Sequence, residues 1–439
     1  MTDDFITAQM SSDWLTLNRQ FLMGEIAGLH HALQRQAAQN QGQSWRPPAQ
    51  SVSGKTLAEA LPSPAAIQVL CDIFQLSSFE REILLLCAGA ELSIGWGALC
   101  GQAQGNPRIK APTFELANIL ATHESAERSP HWSAFSATSP LRFWHMLEVG
   151  AGDALITSPL RIDERILRYL LGLTGLDSRL AKWLKPGHSH ETNRSILVPS
   201  HQVISDRISQ LWQSADALPT LQLWGADLIA QRAIAITAAQ RVGFTSYILN
   251  FKQLPFPLEQ QKTLIELWQR EAKLLPLALI IQGDIKDDST HQTALLQWIE
   301  TIDTPLILIG RDPHKVRAQS LVRYQVTAPT RLEQSQLWQQ ACCALPSPTT
   351  PAPTDETLRS VLDQFSLSAQ QIQTAALQTL SETPTPETLP AVLWNTCRAQ
   401  TRPRLDDLAQ RLKPKEGWDD LVLPPLPTKT LAAMVACLR

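Results

Sequence analysis

The stretch Leu221-Gln222-Leu223-Trp224-Gly225-Ala226-Asp227-Leu228-Ile229-Ala230-Gln231-Arg232 decides how this 439-residue chain is read. Four residues of apolar strand end at a glycine, and a helix-forming run from Ile229 to Val242 follows. A strand that turns into a helix through glycine is where an α/β nucleotide-binding core places its phosphate loop. A working loop reads GxxxxGK[ST]: the glycines let backbone amides wrap the phosphates, the Lys neutralises them and the hydroxyl holds Mg²⁺. In that register Gly225 keeps the first glycine, Ala230 replaces the second, Gln231 replaces the Lys and Arg232 replaces the hydroxyl. Gln231 has no charge to offset a triphosphate, and Leu228 and Ile229 are expected to crowd the turn with side chains. The plain alternative is a strand–turn–helix joint with no chemistry.

Around this stretch, residues 195–345 alternate β and α patterns. Strands are expected at Ser246–Asn250, Leu277–Ile281, Pro305–Gly310 and Val322–Val326. Helices are expected at 258–274, 290–301 and 330–344. Short, wholly apolar strands separated by helices predict a parallel sheet covered on both faces. In a nucleotide hydrolase the third strand should end in an acidic pair that binds Mg²⁺ and orients water. Here it ends in Gln282-Gly283-Asp284, which leaves Asp284 as a single displaced carboxylate. The fourth strand ends at Gly310-Arg311, where a polar sensor of the terminal phosphate would sit. Loop, acidic strand end and sensor all depart together, which is hard to reconcile with a selected hydrolytic site.

Further out, Trp14, Leu17, Phe21, Leu22, Ile26, Leu29 and Leu33 recur at helical spacing and predict one long amphipathic helix over 11–40, read as an arm or docking helix. Residues 64–186 form a second unit. Its helices are expected at 65–74, 78–88 and 113–121, its ribbon over 141–158, and a further helix over 161–172 that stops at Gly172. Three helices followed by a ribbon make a winged-helix-like arrangement. Its third helix offers only Glu115 and Asn118 as polar readers of a duplex, with Arg108 and Lys110 just before it. A Pro/Thr linker at 346–353 precedes helices at 354–363, 368–380, 385–400 and 404–411, an all-helical lid.

Composition closes off several classes. A net charge of −3 gives no global basic field to gather nucleic acid or anionic lipid. The longest apolar runs fall far short of the ~20 residues that cross a bilayer. The start, MTDDFITAQM, has no apolar leader region, so the reading is a soluble cytoplasmic protein. Seven scattered cysteines without a CxxC pair fit reduced, buried thiols. His30-His31 and His188/His190 lack partners at metal spacing. Ala49-Gln50-Ser51-Val52-Ser53-Gly54-Lys55-Thr56 matches a relaxed phosphate-loop pattern, but it follows QGQSWRPP, which is no strand to aim a loop.

Several stretches together resemble a bacterial AAA-type ATPase family associated with phage-tail-like contractile injection systems. They are Phe74 to Cys87 (FQLSSFEREILLLC), Ser158 to Ile166 (SPLRIDERI), Arg398 to Ala409 (RAQTRPRLDDLA) and Gly417 to Pro424 (GWDDLVLP). The resemblance covers about residues 65–439 and implies an α/β multidomain chain. Its parts are a helical arm (1–60), a winged-helix-like α+β domain (64–190), a degenerate P-loop AAA core with a parallel sheet (195–345), an all-helical lid (354–412) and a linker (413–439). In the family, GWDDLVLP leads into a second AAA module with an intact loop. The chain is therefore expected to be a fragment or a natural short form, with ATP and Mg²⁺ belonging only to that second module. The expected role is a regulatory and assembly region whose partners are other protein subunits in a homo-oligomeric ring. No residue is assigned to catalysis or to a metal; Gly225, Gln231, Arg232 and Asp284 are the degenerate nucleotide positions. The alternatives are a winged-helix nucleic-acid-binding regulator, or residual ATP binding without hydrolysis.

Overall fold

The computed structural model describes residues 12–46, 59–124, 132–187, 197–214, 218–253, 258–283, 296–313, 321–343, 355–382, 385, 387–401 and 422–437. They divide into two compact units, residues 1–327 and 328–439.

The first unit begins with α1 (Ser12–Asn40), α2 (Ala66–Phe74), α3 (Ser78–Leu92), α4 (Trp96–Ala103) and α5 (Phe114–Glu124). Helix α1, expected as an arm, is built into the domain. Trp14, Phe21, Leu22, Ile26 and Leu33 are buried in one core with Ile83, Leu84 and Leu86 of α3. Asn18 fixes its register: its Nδ2 donates to Leu170 O at 2.9 Å and its Oδ1 accepts from Ala66 N at 2.9 Å. Helix α3 starts in a capping box, in which Ser77 Oγ accepts from Glu80 N and Ser77 N donates to Glu80 Oε2.

Next come α6 (Pro140–Phe143), β1 (Leu147–Val149), β2 (Leu160–Ile162) and α7 (Glu164–Leu170). Strands β1 and β2 pair antiparallel, Leu147 opposite Ile162. The ribbon thus ends four residues later than 158, inside the stretch read as the start of a helix. The cause is local: Asp163, extended at φ −61° and ψ 135°, accepts from Arg165 N and caps α7, so nothing before it is helical.

Helix α8 (Ser178–Ala181) leads to the edge strand β3 (Leu184–Pro186), followed by α9 (Pro199–Ser214), β4 (Leu221–Trp224), α10 (Leu228–Arg241), β5 (Thr245–Asn250), α11 (Leu258–Leu274), β6 (Leu277–Gln282), β7 (Leu306–Gly310) and β8 (Val322–Gln325). The sheet order is β3-β5-β6-β7-β4-β8. Strands β4 to β8 are mutually parallel and β3 lies antiparallel against β5, so the sheet is mixed at one edge. Its two faces carry separate apolar layers. Leu249, Leu279, Ile281 and Leu308 face Ile265 and Trp268 of α11, while Leu223, Ile280, Ile307 and Ile309 face Ile234 and Ala238 of α10. That double burial is why β6 and β7 read as apolar runs. Strand β4 lies inside the sheet, between β7 and β8, so its carboxyl end opens where α/β folds place ligands.

The second unit contains α12 (Arg331–Cys343), α13 (Asp355–Gln364), α14 (Ala369–Ser381), α15 (Leu389–Thr401) and α16 (Pro425–Cys437). Helix α12 opens with a Thr330–Glu333 capping box. It packs with α13 and α14, whereas the sequence reading placed it with the sheet. The 404–411 helix, the 346–353 linker and Gly417-Trp418-Asp419-Asp420 lie outside the described residues.

Candidate functional site

The turn after β4 is held from three sides. Gly225 N donates to Gly310 O at the end of β7 at 3.1 Å. Gly225 adopts φ +146°, and a Cβ there would come 2.2 Å from Val326 O, just beyond β8. Only glycine passes this close to the neighbouring backbone.

Asp227 caps α10. Its Oδ1 accepts from Ile229 N at 3.1 Å and from Ala230 N at 3.0 Å. These are first-turn amides, of the kind that hold a phosphate in a working loop, and here a carboxylate supplies the negative charge that a helix N-terminus favours. Gln231, at the lysine position, is completely buried. Its Nε2 donates to Gly225 O at 2.9 Å and its Oε1 accepts from Gly310 N at 3.0 Å. One carboxamide thus cross-links the turn to the end of β7. Arg232, at the hydroxyl position, donates from Nη2 to Gln282 Oε1 at 2.5 Å, so the loop and the end of β6 are also joined. Beyond it Gly283 N donates to Ile309 O at 3.2 Å.

Gly225, Gln231 and Arg232 therefore meet at the carboxyl edge of the sheet, together with Gln282 and Gly310. Asp284 and the 49–56 sequence lie outside the described residues, as do His188 and His190. The crowding expected from Leu228 and Ile229 is different in kind. Ile229 is 44% exposed, and it is Asp227 and Gln231 that occupy the turn with polar contacts. Asp227 was missed by the sequence reading. Its signal was an Asp directly before a helical run, a preferred N-cap residue. The partnership of Arg232 with Gln282 spans 50 residues and had no local signal.

Elsewhere, His30 lies 5.6 Å from the Trp96 ring, and burial, then the neighbouring His31, lowers its pKa. Among the described residues no group of three His, Cys, Asp or Glu side chains could hold a metal ion. No helix among them is long and apolar enough to cross a membrane.

Residues 28–184 match the winged helix domain, variant, and residues 330–403 match the contractile injection system ATPase helical domain. No curated protein matches the sequence. Similar solved structures include the FIGL-1 AAA domain, at 12% identity and a TM-score of 0.36, covering 52% of this chain and 90% of that one. Trip13 from Rhizobiales is similar at 13% identity and a TM-score of 0.30, covering 48% of this chain and 96% of that one.

Proposed function

For a chain that carries a winged-helix domain and the helical domain of the contractile injection system ATPases, and so stands with the AAA-type ATPases of those systems, we propose a regulatory and assembly role rather than ATP turnover at its own loop. The observation that supports this most is that the chain's own side chains hold the groups a nucleotide would need. Asp227 takes two amides of the first turn of α10, and its charge would repel a phosphate approaching the same amides. Gln231 offers no cation, and its carboxamide is committed to Gly225 and Gly310. Arg232 is the one cation of the 225–232 stretch, and its Nη2 is bonded to Gln282.

An α/β module of this kind keeps its shape without ligand. In a ring where one subunit completes its neighbour's site, it would set the spacing and angle of the subunits while hydrolysis proceeds elsewhere. Titration of the purified chain with a fluorescent ATP analogue, with and without Mg²⁺, tests this reading. It predicts no saturable binding below about 1 mM, equivalent to less than about 4 kcal/mol. Saturable micromolar binding by the parent chain, competed by unlabelled ATP, would overturn it.

A further inference from the structure

Helix α11 (LEQQKTLIELWQREAKL) carries two stripes. Leu264, Ile265, Leu267 and Trp268 pack on the sheet. Glu266, Arg270 and Lys273 recur at helical spacing on another side, with Glu271 beside Arg270, and a polar stripe of this kind normally faces water. Here Arg270 and Glu271 are both 0% exposed. The reason is that the winged-helix domain sits on the stripe.

Arg270 is the centre of the contact. Its Nη1 donates to His145 O at 2.8 Å, to Trp144 O at 3.3 Å and to Asp163 Oδ1 at 3.4 Å. Its Nη2 donates to Asp177 Oδ2 at 2.6 Å and to Glu271 Oε1 at 3.4 Å. Asp163 and Asp177 are the N-caps of α7 and α8, so one guanidinium reads the start of two helices. Around it Glu271 accepts from Arg165 Nε at 2.9 Å, and Arg179 bonds both Asp163 and Asp177. Further along, His145 Nε2 lies 2.8 Å from Glu266 Oε2, and Lys273 lies 5.7 Å from the centre of the Trp144 ring. Three carboxylates (Asp163, Asp177, Glu271) thus meet three guanidiniums (Arg165, Arg179, Arg270), and the charge is balanced.

Buried ion networks seldom add net stability over a well-packed apolar contact; what they add in some systems is a single permitted geometry. We propose that Arg270 is the pivot of an interdomain clamp that makes the winged-helix domain and the α/β core one rigid lever, so that a force on one is carried to the other. Four bonds from one fully buried fork cross to the winged-helix domain, and together they leave a single orientation of the two surfaces in which both cap carboxylates are satisfied. This inference is independent of whether the loop at Gly225 binds nucleotide.

Hydrogen exchange of the full chain with Arg270→Met tests it. Exchange should speed up about tenfold or more in 144–149, 160–165 and 264–274, while protection of β4, β6 and β7 and of residues 83–88 in α3 stays as in the parent. Such a pattern is undocking of two folded domains. Unchanged exchange at the three interface segments overturns the clamp. If Arg270→Met unfolds the whole unit, the isosteric Asp177→Asn, which keeps the cap of α8 and removes the charge that faces Arg270, decides. Faster exchange confined to the same segments supports the clamp, and parental exchange throughout overturns it.

Discussion

Replacing Gln231 with Ala removes both bonds of the carboxamide at once. Gly225 O loses its 2.9 Å donor and Gly310 N, buried at the end of β7, loses its 3.0 Å acceptor. Each orphaned buried group costs about 1–3 kcal/mol. The truncated side chain was fully buried, and the void adds on the order of 1 kcal/mol. Together these predict about 3–7 kcal/mol lost from the α/β core, at or beyond the upper end of single-residue effects. The assay is urea unfolding followed by tryptophan fluorescence. With m of about 1–3 kcal/mol/M, the core midpoint should fall by about 1 M or more at constant m. In a thermal scan the same loss is a drop of at least about 6 °C, taking about 2 °C per kcal/mol for a domain of this size. A midpoint shift worth less than about 1 kcal/mol would refute the view that Gln231 staples the turn to β7.

Three further outcomes follow from the same contacts. Gly225→Ala puts a Cβ against Val326 O, with no flexible side chain to yield, so it should cost more than about 3 kcal/mol in the same titration or give insoluble protein. Asp227→Ala should lose about 1 kcal/mol of cap energy while Asp227→Asn loses only a few tenths, which separates the cap from the charge. Burial alone would raise the Asp177 carboxyl, but hydrogen bonds from Arg179 and the charges of Arg179 and Arg270 hold it below 3.8. A depressed carboxyl stabilises the fold above its unfolded value and loses that contribution as pH falls through the folded one, so stability should drop below about pH 4. Glu271, pushed up by burial against the pull of Arg165 and Arg270, works the other way, its cost being relieved on acidification. Asp177→Asn should flatten the acid limb in a series of urea titrations from pH 7 to pH 2; an unaltered limb would contradict the assignment.

Strands β6 and β7 were the most legible because each is buried on two faces and so reads as a run of Leu, Ile and Ala. Strand β3 was not legible: Leu184-Lys185-Pro186 is an edge segment with two exposed residues, and its only warrant is pairing with Ile248 and Leu249. Helix α9 was missed because Pro199 to Ser214 is mostly polar, and its apolar stripe is the short set Ile204, Ile208, Leu211 and Trp212. Helix α4 hid behind Gly95, whose φ of +84° makes the turn from α3. At the loop, the loss of Lys and hydroxyl was plain from residues 230–232. The replacements that took their place were not, since Gln231 and Gly310 are 79 residues apart and meet only because β4 and β7 are neighbours. The polar stripe of α11 was likewise readable as a pattern, but nothing local said that a second domain would cover it.

The most direct test of the central claim is a crystal of this chain grown with ATP and Mg²⁺. The account predicts no phosphate density at the β4–α10 turn, with the Asp227 and Gln231 hydrogen bonds unchanged. Phosphates held by the amides of residues 226–231, with Gln231 swung away from Gly310, would contradict it.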